Sequence, residues 1–228
     1  MGRLSTLRSS GDGGGLSLYE ALQYADANGT ITFNLSGGAS TVDMNGETMV
    51  VKSGVTFDSD AMAALTISNG TLTMSGALTL TNGSGDALTL SSILTDGAGT
   101  YNLVKTGLGA VTLSGANSYD GATTVSGGTL SVTDAGNLGA GMVSLGGGTL
   151  AVTATGAATI ANTITLTANS AIDITAANGA VSLSSAVGGA GTLEKLGTGK
   201  LTLSSSAQSS TIDVKVTAGT LAATTSSS

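Results

Sequence analysis

The chain has 228 residues, of which 40% are hydrophobic, 3% aromatic and 9% charged, with 36 glycines and no proline, cysteine, histidine or tryptophan. This composition excludes disorder, which goes with charge and proline, and collagen, which needs glycine at every third place. It also excludes disulfides, thiolate metal sites and histidine-based triads. The net charge of −7 comes from 14 acids and 7 bases, with no basic patch for nucleic acid; apolar runs are too short for a membrane helix, and four Tyr with two Phe cannot build the aromatic girdles of a membrane barrel.

Residues 1–16 show no charged stretch followed by an apolar one, so no signal peptide is read there. Ser17 and Glu20 form a capping-box pattern, and Leu18, Leu22 and Ala25 then fall on one helical face. Asn28-Gly29 ends this short helix, which is expected to cap the first coil with its leucine face. From Thr30 onward only strands and corners are read. Predicted strands are 31–35, 49–52, 65–67, 72–74, 78–80, 88–90, 101–104, 110–113, 123–125 and 129–132. They continue at 143–145, 149–152, 163–166, 171–174, 181–183, 193–195, 201–203, 212–216 and 220–222. Many read Leu-Thr-Leu or a close relative, the period-2 signature of a strand with one buried face. Asn-Gly pairs at 28–29, 45–46, 69–70, 82–83 and 178–179 mark tight corners.

The chain repeats itself. Leu103, Lys105, Gly107, Gly109, Thr112 and Leu113 return 90 positions later as Leu193, Lys195, Gly197, Gly199, Thr202 and Leu203. Gly128, Thr129 and Leu130 return as Gly219, Thr220 and Leu221, and GGTLSV at 127–132 is echoed by GGTLAV at 147–152. Asn-Gly also favours antiparallel hairpins. Three features nonetheless point to stacked parallel coils: very short strands, self-similarity, and corners of varying length. The 20-residue echo predicts coils of about that size, with Leu130 stacked on Leu150 and Val132 on Val152.

The stretch GAGTYNLVKTGLGAVTLSGANSYDGATTVSGGTLSV at 97–132 resembles the autotransporter-associated β-strand repeat of bacterial passenger domains. A second copy at 189–221 is similar but lacks the Asn-Ser-Tyr-Asp-Gly segment of 117–121. Residues 6–35 resemble the leader of surface β-helix proteins, with Tyr19 where that pattern usually has Arg. The resemblance implies an all-β, right-handed parallel β-helix. It also implies a role as adhesin, aggregation factor or scaffold.

Candidate chemistry is sparse. Val104 before Lys105-Thr106 and Leu201 after Gly199-Lys200 break the Gly-Lys-Ser/Thr requirement of a phosphate loop. An inverting glycosidase needs two carboxylates ~6.5–9.5 Å apart. Asp58 and Asp60, two strand rises or roughly 6.6 Å apart if extended, are the best pair, but they read as a polar corner. Lys52 is the nearest base in sequence, and the two arginines, Arg3 and Arg8, sit at the N-terminal cap, away from any such pair. Asp-Ser-Asp and Gly-Asp-Gly lack the spacing of the nonapeptide calcium repeat. Lys105 and Lys195 recur in register and read as surface lysines of the repeat. Thr-x-Thr at 30–32, 71–73, 79–81, 163–165 and 165–167 raises an ice-binding face, but the pairs recur at no single interval.

The expected organisation is a cap at 1–30, a β-helix at 31–222 and a Ser/Thr tail at 223–228, with no catalytic, cofactor or metal residues. The expected function is a non-catalytic cell-surface or secreted scaffold or adhesin. Its partners would be copies of itself or host-surface glycans and proteins, with neither nucleic acid nor membrane insertion of this segment. A polysaccharide-acting enzyme is the alternative, followed by ice binding. Thr220-Leu221-Ala222 is still repeat-like, so further coils or end-to-end association are expected beyond it.

Overall fold

Alternation of apolar and hydroxyl side chains in sequence becomes alternation of buried and half-buried ones in space. In Leu78–Asn82 the inward positions Leu78, Leu80 and Asn82 are buried, while Thr79 and Thr81 lie on the outer face. The computed structural model describes residues 4–7, 22, 27–34, 40–60, 64–177, 179–204 and 212–224. Among these are twenty-five short strands, and the pairings between them are parallel. Thr30–Asn34 is followed by Ser40–Asp43, then Thr48–Val51, then Thr56–Asp60, which returns to pair with Thr30–Asn34. One turn therefore visits three faces, and the chain is a parallel β-solenoid. An antiparallel sandwich is ruled out.

The first face has nine strands, from Leu4–Leu7 to Val187–Gly189, and so spans eight turns. The second face also has nine, from Ser40–Asp43 to Asp213–Val216. The third face is interrupted. It carries a three-stranded sheet ending at Ile93–Thr95 and a four-stranded one starting at Ala157–Ile160. Leu130 pairs with Leu150 and Val132 with Val152, as the echo predicted. The 20-residue step holds from Leu103 to Thr123 and from Thr123 to Val143. Near the N-terminal end, the step from Thr30 to Thr56 is 26 residues. The strands keep their length and the corners absorb the difference.

Inward residues stack in columns. On the first face Ile31, Phe57, Leu80, Lys105, Val125, Leu145 and Leu166 follow one another coil by coil. On the second, Leu65, Leu88, Val111, Leu130, Leu150, Ile172 and Lys195 do the same. All of these are essentially inaccessible to water. Each aliphatic member contributes about 1.5–3 kcal/mol by burial.

Where the third face has no strand, side chains close it. Tyr119 is fully buried, and its hydroxyl shares a hydrogen bond with Thr123 Oγ1 at 2.7 Å. Asn117 accepts from the Leu94 amide at 2.8 Å and donates to the Asn137 carbonyl at 2.8 Å. Asn137 in turn donates to the Gly115 carbonyl at 2.7 Å. Ala135–Leu138 is a short 3-10 turn capped by Asp134. These amide side chains supply the ladder bonds that a strand would have made.

Nineteen strands match the sequence reading. The other six are Leu4–Leu7, Ser40–Asp43, Thr56–Asp60, Ile93–Thr95, Ala157–Ile160 and Val187–Gly189. Most carry too little Leu-Thr-Leu alternation to stand out. The polar corner read at Asp58-Ser59-Asp60 is instead part of a strand, in register with Thr81 and Asn82. Of the predicted capping helix only Leu22 lies among the described residues, helical and buried in the core; the rest of 17–26 lies outside them.

Candidate functional site

The strongest sequence signal for a special residue was the recurring lysine, and the structure corrects its reading. Lys105 and Lys195 are not surface side chains; both are fully buried. Each follows an inward Leu in a strand and is followed by a corner whose glycine has positive φ, 72° at Gly107 and 70° at Gly197. The Lys105 ammonium donates to the carbonyls of Thr106 and Gly107, the latter at 3.2 Å, and to Gly127 of the next coil at 3.3 Å. Lys195 repeats this with Leu196, with Gly197 at 2.9 Å, and with Ala218 of the next coil at 3.3 Å. An ammonium has three donors and each meets an acceptor. The lysine therefore ties two consecutive coils at their corner. Burial pushes the Lys105 amine down to about 8. Burial also lowers Lys195, and Asp173 on the preceding coil partly opposes the shift.

The two copies of the repeat do not sit on the same faces. The first runs through Leu103–Thr106 on the first face and Ala110–Leu113 and Thr129–Val132 on the second. The second runs through Thr192–Leu196 on the second face and Lys200–Leu203 and Thr220–Ala223 on the third. Four coils carry Leu103 to Val187 (187 minus 103, or 84 positions). The 90-residue offset overshoots by one corner, so the motif advances one face around the axis.

The outer rows of the first face bring together threonines that looked scattered. Thr30, Thr56, Thr79, Val104, Thr124, Ser144, Thr165 and Gly188 form one row in register. Corner lengths, not strand order, hid this alignment. Val104 and Gly188 interrupt the row, and the hydroxyls of Thr81 and Thr106 in the adjacent row bond each other at 2.7 Å. A continuous free hydroxyl array is therefore not formed. Among the described residues no cluster of three potential metal-ligating side chains occurs.

A polar groove crosses the first-to-second-face corner near the C-terminal coils, with a volume of about 440 Å³. Gly147, Gly148 and the small side chain of Ala171 are part of its lining. Thr149, Ala171, Glu194 and Lys215 are consecutive members of one outward row. Lys215 donates to Glu194 Oε1 at 2.7 Å, and the Thr217 hydroxyl donates to the same oxygen. These two hydrogen bonds, that of Lys215 first, hold the Glu194 carboxyl below its ordinary range. Asn169 accepts from the Thr192 amide at 2.9 Å. No sequence motif marked this site, because its members come from four coils and meet only through register.

Comparison with known proteins agrees with this architecture. The passenger-associated-transport-repeat family matches at residues 103–132 and 193–223, the two segments that carry the buried lysines. The chain is 32% identical over 198 residues to the adhesin BmaC autotransporter of Brucella suis biovar 1 (strain 1330). That alignment covers 86% of this chain and 6% of the Brucella protein, so the chain corresponds to a small part of that relative's length. No solved structure matches. The chain is a parallel β-solenoid that carries two passenger-associated transport repeats, and along most of its length it is similar to a short stretch of an autotransporter adhesin.

Proposed function

We propose that this chain is a non-catalytic, surface-exposed or secreted segment of adhesive rod. The observation that carries the reading is its similarity to an adhesin over 86% of its residues. The chemistry of the chain supports it: there is no histidine or cysteine, and the outward rows are mostly uncharged hydroxyl and small residues. Such faces suit shallow, repeated contacts with host-surface glycans or proteins, or with further copies of the chain. A right-handed winding, a cap at 1–30 and a tail at 223–228 belong to the same proposal. The test is adhesion of beads coated with the purified chain to cultured epithelial cells and to matrix proteins, against beads coated with an unrelated β-solenoid. Attachment above that control is expected. Equal attachment would overturn the adhesive reading. Cleavage of an acidic polysaccharide, lost in Asp58→Asn or Asp60→Asn, would overturn the non-catalytic one.

A further inference from the structure

We infer that the groove between Gly147 and Lys215 is a binding subsite for a neutral saccharide, which rests on the adhesive reading above and gives it a location. Three observations carry this. The first is shape. Gly147, Gly148 and Ala171 are small where the next coils carry Asn169, Thr192 and Glu194, so a recess of about 440 Å³ opens across the coils. That volume lies within the range of small-molecule sites, about 300–1,000 Å³.

The second is the set of hydrogen-bonding groups. Lys215 and Thr217 both bond Glu194 Oε1, which fixes the carboxylate, while Oε2 has no hydrogen bond among the described residues. Asn169 gives its carbonyl oxygen to the Thr192 amide, and its NH₂ has no hydrogen bond among the described residues. An acceptor carboxylate oxygen and a donor amide on neighbouring coils complement adjacent sugar hydroxyls, each of which donates one bond and accepts others. Thr149 adds a hydroxyl on the opposite side of Ala171.

The third is charge. Glu194 and Lys215 cancel at the site, and the chain as a whole carries −7, so an anionic sugar gains nothing from the field. Among the described residues no aromatic side chain lines the groove. Without a stacking platform a single site binds weakly, and a surface rod gains affinity by presenting several at once.

The test is a titration of the ¹⁵N-labelled chain with methyl glycosides of glucose, galactose, mannose and N-acetylglucosamine, with sialic acid as the anionic comparison. At least one neutral glycoside should shift the amides of Gly147, Gly148, Asn169 and Thr192. Ala171→Leu, which adds bulk to the lining, should weaken that binding about tenfold or more, as should Glu194→Gln. Glu194→Gln decides the matter if the larger side chain at 171 disturbs the fold by circular dichroism. No shift with any neutral glycoside, shifts unchanged in both variants, or preference for sialic acid would each overturn the assignment. Bead adhesion that survives Ala171→Leu and Glu194→Gln in the absence of glycoside binding would refute the groove while leaving the adhesive role intact. Loss of all bead adhesion by the unaltered chain would remove that role itself.

Discussion

Replacing Lys105 by Met keeps the length and apolar stem of the side chain and removes only the ammonium. Three carbonyls, those of Thr106, Gly107 and Gly127, then face the core without a donor. Hydrogen bonds to a charged group are worth about 1.5–3 kcal/mol each, and part of that loss is returned because the ammonium no longer has to be desolvated. The net expectation is a loss of about 3 kcal/mol near pH 7, concentrated at the interface between the two coils. The pH dependence has a definite sign. The folded amine titrates at about 8 and the unfolded one at 10.5. Between these values the unfolded chain holds the proton and the folded chain has shed it, so stability rises with pH across that window and is flat below it. Lys105→Met lacks this rise, and its deficit relative to the parent should widen from pH 8 to 10.5. Urea titration followed by circular dichroism measures the global effect, with Lys200→Met, an exposed position, as control. Hydrogen exchange at the amides of Ser126 and Thr129, which bond to the Lys105 and Gly109 carbonyls of the preceding coil, measures the local one. A variant as stable as the control, with unchanged exchange at those amides and no widening at high pH, would refute the tie between coils.

Tyr119→Phe removes the 2.7 Å bond to Thr123 and should cost about 1 kcal/mol by the same urea titration. Burial pushes the Tyr119 phenol well above its ordinary range. The unfolded chain therefore ionises first, stability falls as pH rises past about 10, and Tyr119 should stay silent in an absorbance titration of the folded chain through that range. Gly128→Ala is the third case. A methyl there would meet the Gly109 carbonyl at 2.4 Å from a backbone of φ +59°, whereas at Gly46, with φ +80°, it meets nothing. Calorimetry should show Gly46→Ala costing only the left-handed backbone penalty of about 1–2 kcal/mol and Gly128→Ala clearly more; equal costs would show that the close approach of coils is not what requires glycine.

How much of this was legible in the sequence depends on whether the signal was local. Leu-Thr-Leu alternation is local, because a strand buries every second residue whatever it pairs with. Strands such as Leu78–Asn82 and Ala110–Leu113 were therefore found, while Val187–Gly189, with little apolar content, was not. Parallel coils and the Leu130–Leu150 register followed from self-similarity, since stacked coils place like residues over like.

The lysines mark the limit. Their recurrence was visible, but a charged side chain in a polar-looking repeat reads as exposed. Burial becomes possible only when Gly127 and Ala218 bring a third carbonyl from the next coil. The Asn-Gly pairs divided in the same way. Asn28, Asn45 and Asn69 adopt the left-handed conformation of a corner. Asn82 instead ends a strand with its side chain buried, donating to the carbonyls of Asp86 at 3.1 Å and Ala110 at 2.6 Å. Sequence alone determined the strand alphabet, the absence of histidine and cysteine chemistry, and the stacked-coil class, all set by composition and period. Tertiary structure alone decided which face each repeat occupies, that the threonines align, that Asn169 and Glu194 share a groove, and that the two lysines are inside. Those outcomes depend on the number of residues spent at each corner, and in a solenoid the corner lengths set which side chains from different coils come to lie side by side.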